Sequence, residues 1–159
     1  MTILYIDRSE PFNPANIGEG WSVAKQDDRS LSLREIDLGK IRLTTSLKEG
    51  KNYIFAKTEL KSVEGNKDVP LDALVFEALA RDINLVSSEI YKGGLRVNPL
   101  PHIVFLGTIL KDPLGHLVVP MFRYERWSDK KGWHVDRLEL SRAWRSRYFS
   151  AVLTDSFLH

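Results

Sequence analysis

Cysteine is absent from the chain, which rules out disulfides, thiol nucleophiles and thiolate metal ligands and leaves the redox compartment undetermined. Long apolar runs are missing too. No window approaches the roughly 20 residues that a membrane span requires. The start, Met-Thr-Ile-Leu-Tyr-Ile-Asp, lacks the basic and apolar regions of an export signal. A soluble, cytoplasmic protein with no membrane partner is therefore expected. Phosphate loops, Gly-x-Gly-x-x-Gly and Gly-x-Ser-x-Gly do not occur, and no serine has a histidine pinned within reach. Repeats, low-complexity tracts and an interdomain linker are likewise lacking. A large charge of one sign is also absent: the net charge is only +2.

What remains is an ordinary globular composition, 43% hydrophobic and 28% charged, in 159 residues. A chain of that length hides roughly two-thirds of its unfolded surface, enough for one self-sufficient core. One domain spanning 1–159 is expected.

Residues 2–7 read as a strand, followed by a Pro/Gly-rich loop to Gly20. From Ser30 to Lys61 apolar residues alternate, and short turns at Gly39 and Gly50 predict a three-stranded antiparallel meander ending in Tyr53–Lys61. Leu71, Leu74, Val75, Ala78 and Leu79 make one stripe, predicting a helix over 70–83 with Asp68 as cap and Pro70 in its first turn. Residues 102–110 are apolar on both faces, as in a central strand. Asp112-Pro113-Leu114-Gly115 turns the chain into a return strand over 116–126, where Pro120 argues for an edge or a bulge. No Gly, Pro or Asn interrupts 133–153, and the capping-box spacing of Asp136 and Glu139 predicts a C-terminal helix there. A strand over 148–154 competes with it. The fold class is thus α+β: a twisted antiparallel sheet of about six to eight strands, one central amphipathic helix and a helix near the C-terminus.

Pairing around Pro113 sets His102 and His116 at opposite ends of a hairpin, more than ~20 Å apart at about 3.3 Å per residue. They cannot share a metal. His134 and His159 have no ligand-like spacing either, so no metal and no cofactor is expected.

Asp37 is followed, 22 positions later, by Glu59-Leu60-Lys61. If 53–61 is a strand, Glu59 and Lys61 share a face. This is similar to metal-dependent nucleases of the restriction-endonuclease type, which place an Asp on one strand and Glu-x-Lys on the next. The resemblance covers three residues and implies carboxylates holding Mg²⁺ and a lysine orienting the attacking water. Acid-x-Lys is also common on any solvated strand face, where alternating signs suit an exposed ladder.

The strongest feature is the last third. Residues 121–153 hold eight basic against four acidic residues, a net of +4, together with three of the four tryptophans. Residues 1–120 carry 15 basic and 16 acidic residues, a net of −1. Pairing around Lys130 sets Trp127 opposite Trp133, either stapling a hairpin or forming an exposed platform beside Lys130 and Lys131. Without catalytic signatures, the expected function is a non-enzymatic binding protein using Arg126, Trp127, Lys130, Lys131, Trp133, Arg142 and Arg145. Its partner would be another protein, a second copy of itself, or an apolar small molecule held between helix and sheet. Nucleic acid gripped by the 123–147 basic patch is the alternative. A Mg²⁺-dependent nuclease using Asp37, Glu59 and Lys61 is the third reading.

Overall fold

A computed structural model describes residues 1–91, 101–125 and 132–154. In chain order these form β1 (Ile3–Tyr5), β2 (Ser22–Gln26), β3 (Glu35–Asp37), β4 (Ile41–Thr44), β5 (Tyr53–Phe55), helix α1 (Ala56–Glu64), β6 (Val69–Pro70) and helix α2 (Ala73–Arg81). A π-helical turn, Val86–Ile90, comes next. Then follow β7 (His102–Val104), β8 (Thr108–Lys111), β9 (Leu117–Glu125), β10 (Gly132–Glu139), β11 (Ala143–Arg145) and β12 (Tyr148–Leu153). The fold is α+β. Eight strands make a mixed sheet in the order β2-β8-β9-β7-β12-β4, with β10 added on β9 and β6 on β12. Two small ribbons, β1–β3 and β11–β5, flank it.

The apolar run 102–111 is the spine of the sheet. It breaks at Phe105-Leu106-Gly107, yet both halves lie along β9, with Ile103 opposite Phe122 and Leu110 opposite Val118. On its other side the spine forks: β7 takes β12 in parallel, and β8 takes β2 antiparallel. Only glycine fits the fork, because a Cβ on Gly107 would lie 2.6 Å from the Pro70 carbonyl oxygen and 2.7 Å from the Leu71 carbonyl carbon. Its amide donates to the Leu71 carbonyl at 2.9 Å and its carbonyl accepts from Asp27 at 2.8 Å.

Of the edge or bulge expected at Pro120, the edge is excluded and an irregularity is present, since the register slips between Val104–Met121 and Leu110–Val118. Pro120 lies inside the sheet, between β10 and the spine. Its carbonyl accepts from Phe105, so its missing N–H faces the break in the spine, where no ladder partner is required.

The predicted meander does not form. Leu31 lies in a 3-10 turn over Asp28–Ser32, β3 pairs with β1, β4 with β12 and β5 with β11. Beyond Phe55 the chain is helical. Ala56, Leu60 and Val63 satisfy a period of 3.6 as Ile54, Ala56 and Leu60 satisfy a period of two, and burial of Ala56 and Val63 decides for the helix. The helix expected over 70–83 runs from Ala73 to Arg81. Asp72, not Asp68, caps it by accepting from the Val75 amide at 3.2 Å, and Pro70 lies in β6 against β12.

The helix expected in 133–153 is absent: β10, β11 and β12 occupy it. Turns without Gly or Pro separate them, as at Glu139–Arg142, where the Arg142 amide donates to Glu139 at 3.1 Å. Aromatic and branched residues there gain more from cross-strand burial than from helical propensity.

Each sheet face carries a core. Under α2, Val75 and Leu79 pack with Ile103, Phe105, Phe122 and Leu153. The Phe76 ring lies 5.3 Å from Phe105 and 4.6 Å from Phe122. Under α1, Ala56 and Val63 pack with Val104, Val119, Met121 and Trp144. A buried polar hub joins α2 to the fork. Arg8 grips Asp72 at 2.5 and 3.2 Å, Gln26 donates to Asp72 at 3.0 Å, and Thr108 donates to Gln26 at 2.7 Å while accepting from the Ala73 amide at 2.9 Å.

Candidate functional site

Three strands bring together residues that are remote in sequence. In the parallel pair β12–β7, Tyr148 stands beside His102. Continuing the β7–β9 register by one residue from Ile103–Phe122 sets His102 next to Arg123, which itself faces His134 on β10. Strand alternation puts this row on the α1 face, alongside Val104 and Met121. Arg147 precedes β12, and its carbonyl accepts from the His102 amide at 2.6 Å.

The Arg123 guanidinium is clamped, donating from Nη1 to Glu125 at 2.7 Å and from Nε to Asp136 at 3.0 Å. The hydrogen bond to Glu125, then that to Asp136, raises its pKa above the usual arginine value, so it carries permanent charge. His102 is 6% exposed. Burial first, then the charges of Arg147 and Arg123, push its imidazole down to about 4, so it is neutral at pH 7. Its ring packs 5.1 Å from Tyr148, and its Nδ1 has no hydrogen-bond partner among the described residues.

Tyr148, His102 and Arg123 of this row line a groove of about 590 Å³. Asp136, Arg137, Leu138 and Glu139 all line it. Because consecutive strand residues point to opposite faces, the groove wraps around β10. Four arginines (Arg123, Arg137, Arg142, Arg147) meet three carboxylates there (Asp112, Asp136, Glu139). The carboxylates are unequally engaged. Asp136 is held by Arg123, Asp112 accepts from the Leu114 and His116 amides, and Glu139 is 3.9 Å from Arg142. Arg137 lies 4.9 Å over the Trp21 ring and, like Arg147, has no ion pair among the described residues. Guanidinium forks of this kind suit carboxylate or phosphate oxygens.

Beside the groove, Arg142 leads into β11, its carbonyl accepting from Ala56 at 3.0 Å. In the β11–β5 ribbon Arg145 faces Tyr53, Ala143 faces Phe55 and Trp144 faces Ile54. Trp144 turns inward, fully buried, and donates to Thr45 at 3.0 Å. Tyr53 and Phe55 turn outward, 51% and 60% exposed.

Of the sequence-predicted binding residues, Arg142 and Arg145 stand exposed on this surface. Arg126, Trp127, Lys130 and Lys131 lie outside the described residues. Trp133 differs from expectation: its register partner is Tyr124, not Trp127, and the ring is buried between Tyr124 at 5.3 Å and Tyr91 at 6.2 Å, donating to Ser87 at 2.8 Å. It braces the core on the α2 face.

The three nuclease candidates stand in other settings. Asp37 accepts from the Gly39 amide at 3.0 Å as the cap of a 3-10 turn. Glu59 is buried in α1, accepting from the Ser46 amide at 2.9 Å, the Ser46 hydroxyl and the Ser150 hydroxyl at 3.0 Å. Lys61, two positions on in the same helix, points elsewhere and is exposed, since residues i and i+2 of a helix do not share a face. Among the described residues no cluster of three or more His, Asp and Glu side chains is arranged to hold a metal ion.

The grouping of Arg147, Tyr148, His102 and Trp21 escaped the sequence reading because only the fold assembles them, although His102 is weighed there as a metal ligand and Arg147 falls in the basic patch. For Tyr53 and Phe55 a signal was present: aromatic-x-aromatic at a strand end puts both rings on one face. No protein-family model, curated protein or solved structure matches the chain.

Proposed function

We propose that this chain is a binding protein whose working surface is the basic last third, and that its ligand is anionic. The observation that carries the reading is the pair Arg137 and Arg147, both exposed in the groove without a carboxylate partner among the described residues. Arg123, by contrast, is already neutralised by Glu125 and Asp136. Arg147 beside the neutral His102 imidazole, and Arg137 around the β10 edge on the Trp21 ring, leave guanidinium donors open to an anion, and the groove's four arginines outnumber its three carboxylates.

Retention on heparin resin tests this. The wild-type chain binds at low salt, and its release follows the steep salt dependence of a polyanion contact. Arg137→Glu with Arg147→Glu elutes at much lower salt with an unchanged melting temperature. A wild-type chain that flows through at roughly 50 mM salt overturns the reading, because counterion release is strongest there.

A second reading, self-association, is favoured by one observation. Among the described residues β10 pairs on one side only, and it carries Val135, 58% exposed. Sedimentation distinguishes the two: a dimer abolished by Val135→Lys supports an edge-to-edge contact, and a monomer at high concentration removes it.

A further inference from the structure

We propose that Tyr53 and Phe55 are a base-stacking platform for single-stranded nucleic acid, with Arg145 holding the backbone as the strand leaves the arginine groove. The inference rests on the anionic-ligand reading of that groove and adds the ligand's class.

Four observations converge on it. The two rings are 51% and 60% exposed, although their neighbours on the opposite ribbon face, Ile54 and Trp144, are half-buried and fully buried. The ribbon is therefore well anchored without them. The rings meet edge to face, 6.0 Å apart at 79°, so they do not stack on each other, and the edge of one meets only one face of its neighbour. A flat partner can lie on the outward faces that remain. Arg145, directly opposite Tyr53, is exposed and has no ion pair among the described residues. Finally, the flanking segments are basic: residues 45–58 and 141–148 carry six exposed cations, three lysines and three arginines, against Glu49, and of the six only Arg142 has an ion pair among the described residues, to Glu139 at 3.9 Å.

Aromatic faces beside unpaired cations match a polyanion whose repeating units also have flat apolar faces. Single-stranded nucleic acid meets that description, whereas in a duplex the base faces are hidden in the stack. Continuity supports the assignment. Arg142 and Arg147 line the groove and bracket β11, so the groove and the ribbon form one surface.

Fluorescence anisotropy with a labelled thymidine oligonucleotide of about 12 residues tests the proposal, within the site sizes common for such surfaces. Tyr53→Thr with Phe55→Thr is expected to weaken binding by roughly 10-fold per ring, ~100-fold together. Heparin retention should change little, because heparin binds through its sulfates and its saturated rings offer no planar π face for base-type stacking. Arg145→Gln should lower the slope of log affinity against log salt by about 0.7. Melting temperatures monitor folding, and Tyr53→Trp provides a second test: binding is retained and the new indole is quenched by the oligonucleotide.

Oligonucleotide binding insensitive to the double substitution, and no quenching of the Tyr53→Trp ring, overturn the platform while leaving the anionic groove standing. If neither heparin nor the oligonucleotide binds at low salt, both readings fall. A third arm uses vesicles containing phosphatidylserine. Vesicle binding lost in the double variant, with oligonucleotide binding intact, would assign the rings to a membrane surface and refute nucleic acid.

Discussion

Replacing Asp72 by alanine should bring the chain close to unfolding. Asp72 does three things at once: it caps α2 at the Val75 amide, accepts from Gln26 and neutralises Arg8. The Arg8 and Asp72 side chains are only 5% and 2% exposed, so water cannot replace the lost partner. Loss of the cap costs about 1 kcal/mol. Leaving a buried arginine without its carboxylate costs about 3–5 kcal/mol. The sum, roughly 4–6 kcal/mol, approaches the whole stability of many domains. Urea unfolding followed by circular dichroism measures it, and at a slope near ~2 kcal/mol/M the midpoint falls by about 2–3 M. Arg8→Met in the Asp72→Ala background removes the stranded charge and should restore at least ~2 kcal/mol, a coupling that a mutant cycle isolates. A loss below ~1 kcal/mol for Asp72→Ala, with an unchanged slope, would show that the hub does not hold α2 to the fork.

Gly107→Ala should destabilise by about 1–3 kcal/mol in the same assay, because the new methyl meets backbone at 2.6 Å and has no side chain to push aside; wild-type stability would refute the fork geometry. The His102 imidazole should titrate by NMR at about 4, well below its ordinary value. Because the unfolded state binds that proton first, the stability contribution of His102 is complete above pH ~6.5 and is lost as pH falls towards 4. His102→Phe should flatten this part of the pH profile, and a native titration near 6.5 would contradict the burial of the ring.

Legibility of the fold followed local chemistry. The central hairpin was readable because a two-faced apolar run, a Pro-Gly turn and a return strand agree. The core of α2 was readable from its stripe, though the cap lay one turn further on at Asp72. Residues 54–60 were not, since their apolar positions fit both periods and only the pocket beneath α1 chooses between them. The last third misled for another reason. The absence of Gly, Pro and Asn favours a helix within 133–153, but Glu139–Arg142 turns without any of them, and the competing strand over 148–154 corresponds to β12. The concentration of charge there was visible in the composition. The site was not, because His102, Arg123 and Tyr148 become neighbours only through the register of three strands.

The position of β12 has a consequence for biogenesis. This strand is made after β4, β6 and β7, yet it lies between them and bonds to all three. Until the ribosome has released Tyr148–Leu153, β4 and β7 expose unfilled edges across a vacant slot, a state that invites foreign strands. Chains stalled before that segment should therefore aggregate or be degraded, and the cell's defence against that outcome is to complete translation quickly or to shield the nascent sheet.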